Sequence, residues 1–157
     1  MITTQQIKAL REETGLSIMQ CQKALEEALG LNLTGSDLME KAAAILKEKG
    51  AAIAEKKRDR TLGAGAVSAY IHAGDSVGAM VELLCETDFV AKNPEFKAVA
   101  RDIAMHIAAM NPADAGELLE QPFIKDGSVT IGGIINSAVQ KFGERTEIGK
   151  FVRFSVN

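Results

Sequence analysis

Four side chains in this sequence could serve as nucleophiles, bases or metal ligands: Cys21, Cys85, His72 and His106. Cys85 and His72 could meet across a β-hairpin, and a thiol nucleophile needs a base at that proximity. Cys85 lies in an apolar run, however, which indicates a buried and inert thiol. Neither histidine has a partner at metal-ligand spacing, and His106 lies among Ala and Ile residues, which favours a structural or interface role. These residues therefore predict no metal site and no enzyme.

The glycines and charges exclude two further classes of function. Gly63 and Gly65 lack the third glycine and the preceding strand of a dinucleotide-binding loop, and no GxxxxGK[ST] segment is present. The net charge is −3, whereas nucleic-acid binders carry a basic excess. The run EKKRDR at 55–60 is typical of a solvated linker. We therefore expect no cofactor and no direct contact with nucleic acid.

The composition predicts a soluble, cytoplasmic globular protein. Hydrophobic residues make up 46% and charged residues 25% of the chain, which is typical of that class. The two cysteines are far apart, which indicates free thiols in a reducing compartment. The first residues, MITTQQIKALREE, lack the apolar core of a signal peptide, and no run is long enough to span a bilayer.

The segment Thr87–Val90 follows a strand-like run and allows two interpretations. In the first, Asp88 or Asn93 caps a helix and Phe89 fills the interface between sheet and helix. In the second, Asn93 and Pro94 already supply the cap and the first helical residue, so that Phe89 sits in a loop as a binding anchor. The residues alone favour the first interpretation, and the Asn-Pro pair weakens it.

Three short helices are predicted within residues 1–55. The first ends at Gly15, and the second begins at Ser17 with a capping-box spacing. A loop from Asn32 to Ser36 precedes the third helix, which Asp37 caps and Gly50 ends. Together these elements predict a compact three-helix domain.

The remaining chain changes period. After a linker at 56–65, alternating residues predict a β-hairpin with its second strand at Val77–Cys85. Helices are predicted from Pro94 and after Thr130, with a long connection at 111–129 between them, and a final strand closes the chain. Residues 66–157 thus predict an α+β domain with a three-stranded antiparallel sheet covered by helices.

Several segments, in this order along the chain, resemble the elongation factor Ts family, the nucleotide-exchange factors of elongation factor Tu. The resemblance covers essentially the whole chain and its length matches the short form of the family. It implies a ubiquitin-associated-like fold for the first three helices. The segments are LREETG at 10–15, MQCQKALEEA at 19–28, TDFVAKN at 87–93, IAMHIAA at 103–109, QPF at 121–123 and FVRF at 151–154.

The resemblance also implies a partner and the residues that meet it. Thr87, Asp88, Phe89 and Val90 match the family segment that dislodges Mg²⁺ from elongation factor Tu, so that GDP leaves and GTP can bind. The remaining implied contacts lie in the core domain and in the segments at 10–15 and 19–28, which match the first signature of the family. They are Leu10, Arg11, Thr14, Gly15, Met19, Cys21, His72 and His106.

The sequence departs from the family pattern in three places. Gln20 stands where the family usually has an acid, Gln22 replaces a basic residue, and the loop at 31–36 is longer than usual. An edge of the small sheet could pair with a second copy of the chain, which predicts a homodimer. Two other functions remain as alternatives: a non-catalytic helical interaction module with a dimerising core, and a hydrolase that depends on Cys85.

Overall fold

The computed structural model describes residues 1–156 and contains helices and strands in an α+β arrangement, as predicted. No helix among these residues has the length and apolar character to cross a membrane. The elements, in chain order, are α1 (Thr4–Thr14), α2 (Ile18–Leu29), α3 (Gly35–Lys56), β1 (Ala64–Ile71), β2 (Val77–Cys85), α4 (Asp88–Ala91), α5 (Pro94–Met110), α6 (Ala115–Glu120), β3 (Pro122–Phe123), β4 (Asp126–Thr130), α7 (Ile131–Phe142) and β5 (Glu147–Ser155).

Of the first three helices, α1 and α2 begin and end much as the sequence predicts. The Thr3 and Ser17 hydroxyls each accept a hydrogen bond from the third helical residue, Gln6 and Gln20, and both capping boxes are complete. Gly15 ends α1 with φ 69°, a left-handed conformation that glycine adopts without the strain a Cβ would cause. Helices α1, α2 and α3 together enclose a cluster of buried hydrophobic residues that includes Leu10, Leu16, Cys21, Leu25, Leu38 and Leu46.

Helix α3 is longer than predicted. It begins at Gly35 after Thr34 and continues to Lys56, so the predicted cap at Asp37 and the predicted end at Gly50 are both wrong. Gly50 is buried inside the helix because α7 approaches it closely: an added Cβ would lie 2.7 Å from Gln140 Oε1. The glycine thus permits a helix contact and does not end a helix.

This contact joins the two parts of the chain. Helix α3 packs on both α2 and α7, and a second hydrophobic cluster, separate from that of the first three helices, fills the space between the sheet and α5. Lys56 ends α3, while Ala64 and Gly65 already belong to β1. The division into a domain at 1–55, a linker at 56–65 and a domain at 66–157 stays a prediction.

The main sheet has the order β1-β2-β5, and all neighbouring strands are antiparallel. Val81, Leu83 and Cys85 of β2 are buried in the second hydrophobic cluster. The opposite face of the sheet, which we call the outer sheet face, leaves large apolar side chains exposed. They are Val67, Ile71, Met80, Val152 and Phe154.

The connection predicted at 111–129 is wrong in one respect, because it holds a second, two-stranded sheet. Helix α6 is followed by the hairpin β3–β4. The sequence of β4, DGSVT, has no apolar alternation, so the pattern that reveals strands is missing here. The buried His106 side chain contributes by accepting a hydrogen bond from the Ile124 backbone N–H, 3.2 Å away.

Candidate partner-binding site

The segment after β2 forms a one-turn helix, α4, that points an aromatic ring into solvent. Thr87 caps it, since its hydroxyl accepts from the Val90 N–H at 3.5 Å. Val90 and Ala91 are buried, whereas Phe89 is 86% exposed. The interpretation in which Phe89 fills the interface between sheet and helix is therefore wrong, and Asp88 does not cap a helix. Asn93, the other candidate cap, does cap α5: its side chain accepts from the Glu95 N–H at 2.8 Å. Phe89 also does not sit in a loop, because it lies on α4.

We call Thr87–Val90 the tip. Its acid, Asp88, is exposed in the first turn of α4, where a negative charge is favourable to the helix dipole. Exposing a phenylalanine costs solvation free energy that a core position would avoid. An exposed aromatic ring beside an exposed carboxylate has the character of a binding anchor.

Glu144, in the loop between α7 and β5, holds the tip in place. Its Oε1 accepts from the backbone N–H groups of Glu86 and Thr87 at 3.1 and 3.0 Å, and its Oε2 accepts from the Thr87 hydroxyl at 2.6 Å. No pattern in the sequence indicates this residue. Glu144 lies 57 positions after Thr87, and no spacing rule connects residues at that separation.

The contact is reciprocal. The Glu86 carboxylate accepts from the Arg145 backbone N–H at 3.0 Å and pairs with the Arg60 guanidinium at 3.5 Å. The Arg145 guanidinium in turn donates to the Arg60 carbonyl and to the Glu147 carboxylate. Three chain segments that are distant in sequence therefore converge at the base of the tip.

The turn between α1 and α2 lies on the same side of the molecule as the start of α5. Lys141 of α7 bridges them: its Nζ pairs with Glu95 at 2.9 Å, and a Cβ on Gly15 would lie 3.2 Å from the same atom. Ile18 and Met19, which open α2, are 56% and 66% exposed. This second exposed apolar site is thus close to the elements that carry the tip.

The residues of the first signature divide into surface and interior. Arg11, Gly15 and Met19 are exposed. Leu10 and Cys21 are fully buried, so both shape the turn from inside and neither presents a contact surface. Thr14 is half-buried, and its hydroxyl donates to the Leu10 carbonyl at 2.7 Å.

Both glutamine departures have a local structural role. Gln20 completes the capping box of α2, because its Oε1 accepts from the Ser17 N–H at 3.1 Å. The Gln22 side chain donates to Glu26 Oε1 at 2.8 Å along the same helix. In this chain the two uncharged amides therefore stabilise α2 through hydrogen bonds.

The two histidines are in different environments. His72 is exposed, and its Nδ1 lies 3.1 Å from the Tyr70 hydroxyl. His106 is fully buried. Because its Nδ1 accepts from Ile124, its Nε2 carries the proton and donates to Gln121 Oε1 at 2.9 Å. Burial lowers the pKa of His106. His106 therefore presents no surface to a partner.

The pairing of Cys85 with His72, on which a hydrolase could depend, is wrong on geometry. Cys85 pairs with Ala64 at one end of the β1–β2 hairpin, while His72 follows Ile71 at the other end. Eight residue steps along the strand separate them, or roughly 27 Å. Burial raises the pKa of the Cys85 thiol, and Glu144 and Asp88 raise it further. Its S–H donates to the Thr87 carbonyl at 3.3 Å, so the thiol supports the tip from below.

No group of three or more His, Cys, Asp or Glu side chains within residues 1–156 is arranged to hold a metal ion. The exposed tip is thus the feature that requires a functional explanation.

The family model described as Elongation factor TS matches residues 3–115, a range that includes both the first signature and the tip. The chain belongs to the elongation factor Ts family.

Individual relatives agree with this assignment. A protein named Elongation factor Ts from Carboxydothermus hydrogenoformans is 40% identical to this chain over 99% of the chain and 89% of its own length. Its counterpart from Thermodesulfovibrio yellowstonii is 39% identical over 99% of the chain and 96% of its own length. One from Desulforamulus reducens is 38% identical. By family, the chain is a translation elongation factor.

Members of the elongation factor Ts family can be longer than this chain. The alignment with the Carboxydothermus relative extends over 201 residues, whereas this chain has 157. The relative therefore has residues at many aligned positions where this chain has none. The tip, its support and the three-helix unit are nevertheless all present in the shorter chain.

Proposed function

We propose that this chain binds elongation factor Tu in its GDP form and promotes release of GDP, so that GTP can bind. The observation that carries the proposal is the tip, which exposes Phe89 on a one-turn helix held from three directions. The family assignment supports the identity of the partner. Such a partner in translation also implies a cytoplasmic location.

The proposed activity is a linkage effect. A protein that binds the nucleotide-free partner more tightly than the GDP form weakens GDP binding by the same factor. The chain then needs differential affinity and no covalent chemistry. This requirement agrees with a site that offers an exposed ring and an exposed acid, with its one nearby thiol buried.

The tip supplies two kinds of contact in this proposal. Phe89 inserts between elements of the partner, and full burial of such a side chain contributes about 1.5–3 kcal/mol. Asp88 disturbs the ligands and waters around the partner's Mg²⁺, whose octahedral site tolerates little distortion. Thr87 caps the helix, and Val90 anchors it in the core. The four residues therefore act as one unit.

A second contact comes from the first signature. Arg11, Gly15 and Met19 are exposed and face the partner in this proposal, whereas the buried Leu10 and Cys21 and the half-buried Thr14 hold their turn in shape. In the core, His72 is available to the partner. His106 acts only by ordering the β3–β4 hairpin.

Stopped-flow release of a fluorescent GDP from elongation factor Tu tests the proposal. Catalytic amounts of this chain should accelerate release, and Phe89→Ala and Asp88→Ala should each reduce the acceleration. Leu119→Ala, at another partly exposed apolar residue, is the matched control and should behave like the parent. An interaction module would instead bind the partner without changing the rate of release.

We also infer a homodimer. The sequence predicts pairing through an edge of the sheet, whereas the exposed outer sheet face supports packing of two sheets face to face. On this face Met80 lies beside Val152, and Gly78 lies beside Phe154. Light scattering should report a dimer at micromolar concentration and a monomer for Phe154→Lys. A monomeric parent would contradict the inference.

A further inference from the structure

We propose that Glu144 is a positioning residue for nucleotide exchange: it acts through the tip by fixing the first turn of α4. This inference deepens the proposed function and rests on it. No spacing in the sequence and no part of the tip motif points to Glu144. Its role follows from the three hydrogen bonds by which one carboxylate grips the residues that precede Phe89.

The need for such support follows from the length of α4. Isolated helices shorter than roughly 12 residues are unstable in water, and α4 has only four residues. Its own contribution is two backbone hydrogen bonds, from Ala91 N–H to the Thr87 carbonyl and from Lys92 N–H to the Asp88 carbonyl, and one weak cap, the 3.5 Å bond from Val90 N–H to the Thr87 hydroxyl. Burial of Val90 and Ala91 holds one side of the turn. Glu144 holds the other side.

The geometry at Thr87 explains how the carboxylate sets the cap. The Thr87 hydroxyl donates its one proton to Glu144 Oε2 at 2.6 Å and so keeps its lone pairs for the Val90 N–H. A hydroxyl that donates to an ionised acceptor makes a strong bond, which fixes the Thr87 rotamer. The fixed rotamer then places the acceptor at the start of α4.

A rigid tip matters because Phe89 is exposed before it binds. A flexible segment loses conformational entropy when it docks, and a pre-ordered segment avoids that cost. Glu144 is joined to the rest of the chain through its neighbours: Lys57 donates to the Gly143 carbonyl at 2.6 Å, and Arg145 bonds to Glu86. The tip is therefore held against the end of α3 as well as against the sheet.

A double-mutant cycle on GDP release from elongation factor Tu tests the positioning role. Glu144→Ala should lower the second-order rate constant for release about tenfold, equivalent to about 1.4 kcal/mol. Glu144→Gln should restore part of it, because the amide oxygen still accepts from both backbone N–H groups. Glu120→Ala, at an exposed acid on α6, should match the parent.

The cycle separates positioning from general stability. In the Phe89→Ala background, Glu144→Ala should have little further effect, since the ring that it positions is gone. Equal losses in both backgrounds would overturn the proposal, as would a parent-like rate for Glu144→Ala. The unfolding free energy of each variant in urea should confirm that every sample is folded at the assay temperature.

A readout without the partner distinguishes failure of this inference from failure of the proposed function. Amide hydrogen exchange at Val90 and Ala91 reports whether the turn of α4 is closed. Glu144→Ala should accelerate exchange at both amides, and amides in α2 should be unchanged. If the parent failed to accelerate GDP release from elongation factor Tu, the proposed function would be wrong. The hydrogen-exchange data would still decide the positioning role. Unchanged protection at Val90 and Ala91 would overturn it.

Discussion

Two junctions between elements carry exposed apolar residues, and they are built differently. The turn between α1 and α2 is held by neighbours in sequence: Gly15 adopts φ 69°, and Ser17 exchanges capping bonds with Gln20. The junction between β2 and α4 is held by Glu144, 57 positions away from Thr87. The first is a local structure, and the second exists only in the folded chain.

The two junctions obtain a precise geometry in different ways. Local caps fix the start of a helix through hydrogen bonds among a few neighbouring residues. A four-residue helix cannot be fixed that way, so the tip depends on a distant carboxylate and on the packing below it. Changes to the cap of the first junction should act mainly on stability, and changes to the cap of the second should act on nucleotide exchange as well.

The largest expected effect comes from the packing below the tip. Phe96 is fully buried and meets Phe142 edge to face at a centroid distance of 5.7 Å. Phe96→Ala should lower the free energy of unfolding by about 3–5 kcal/mol and should also impair GDP release, because Phe142 leads directly into the Glu144 loop. Urea denaturation measures the first effect. Leu31→Ala, at an exposed residue, is the control and should change stability by less than about 0.5 kcal/mol.

The first junction should break when its glycine is replaced. Gly15→Val places a branched side chain in a left-handed conformation and crowds Lys141 Nζ. The backbone strain alone should cost about 1–2 kcal/mol of unfolding free energy. Gly127→Ala is the control, since open space surrounds that glycine and its φ is negative. Equal stability of the two variants would show that the left-handed turn is unimportant.

Removing one cap at each junction separates the effect on stability from the effect on GDP release. Ser17→Ala and Thr87→Val each delete an N-cap hydroxyl, and each should cost about 1 kcal/mol of stability. Thr87→Val also removes the donor to Glu144, so this variant alone should slow GDP release. Both quantities can be measured on the same two samples. Slower release in Ser17→Ala at equal stability would place the control of exchange at the first junction.

The smallest effect is a dependence of stability on pH. His106 has a lowered pKa in the folded chain because it is buried, so the unfolded chain binds its proton first as pH falls. Its contribution to stability should be complete above its unfolded pKa, about 6.5, and should be lost progressively below it. The unfolding free energy should be measured from about pH 7.5 to about pH 5.5, a range centred on the unfolded pKa. Its slope against pH should be smaller in His106→Asn than in the parent. His72→Asn, at the exposed histidine, should keep the parent slope.

The sequence predicts well wherever a neighbour in the chain decides the structure. The helix cap at Ser17, the Asn93-Pro94 start of α5 and the hairpin before Cys85 all follow from local rules and are confirmed. The predicted end of α3 is wrong because Gly50 is required by the close contact with α7. The residues next to Gly50 in the sequence do not reveal this contact.

The candidate site shows the same division. The tip motif is visible in the sequence, but whether Phe89 is buried depends on which side of a one-turn helix packs on the sheet. Its support by Glu144 was beyond any local pattern, and so was the burial of His106, which lies on the inner side of α5. Apolar periodicity identifies the inner side of a helix. It does not show whether a polar residue near that side, such as His106, is buried or contacts a partner.

The most direct test compares affinities for two forms of elongation factor Tu. The dissociation constants of the parent and of Phe89→Ala should be measured for the nucleotide-free form and for the Mg²⁺-GDP form. The parent should prefer the nucleotide-free form, and Phe89→Ala should lose about tenfold to a hundredfold of that preference, as expected for the burial of one aromatic ring. An unchanged ratio in Phe89→Ala would contradict the claim that the tip drives exchange.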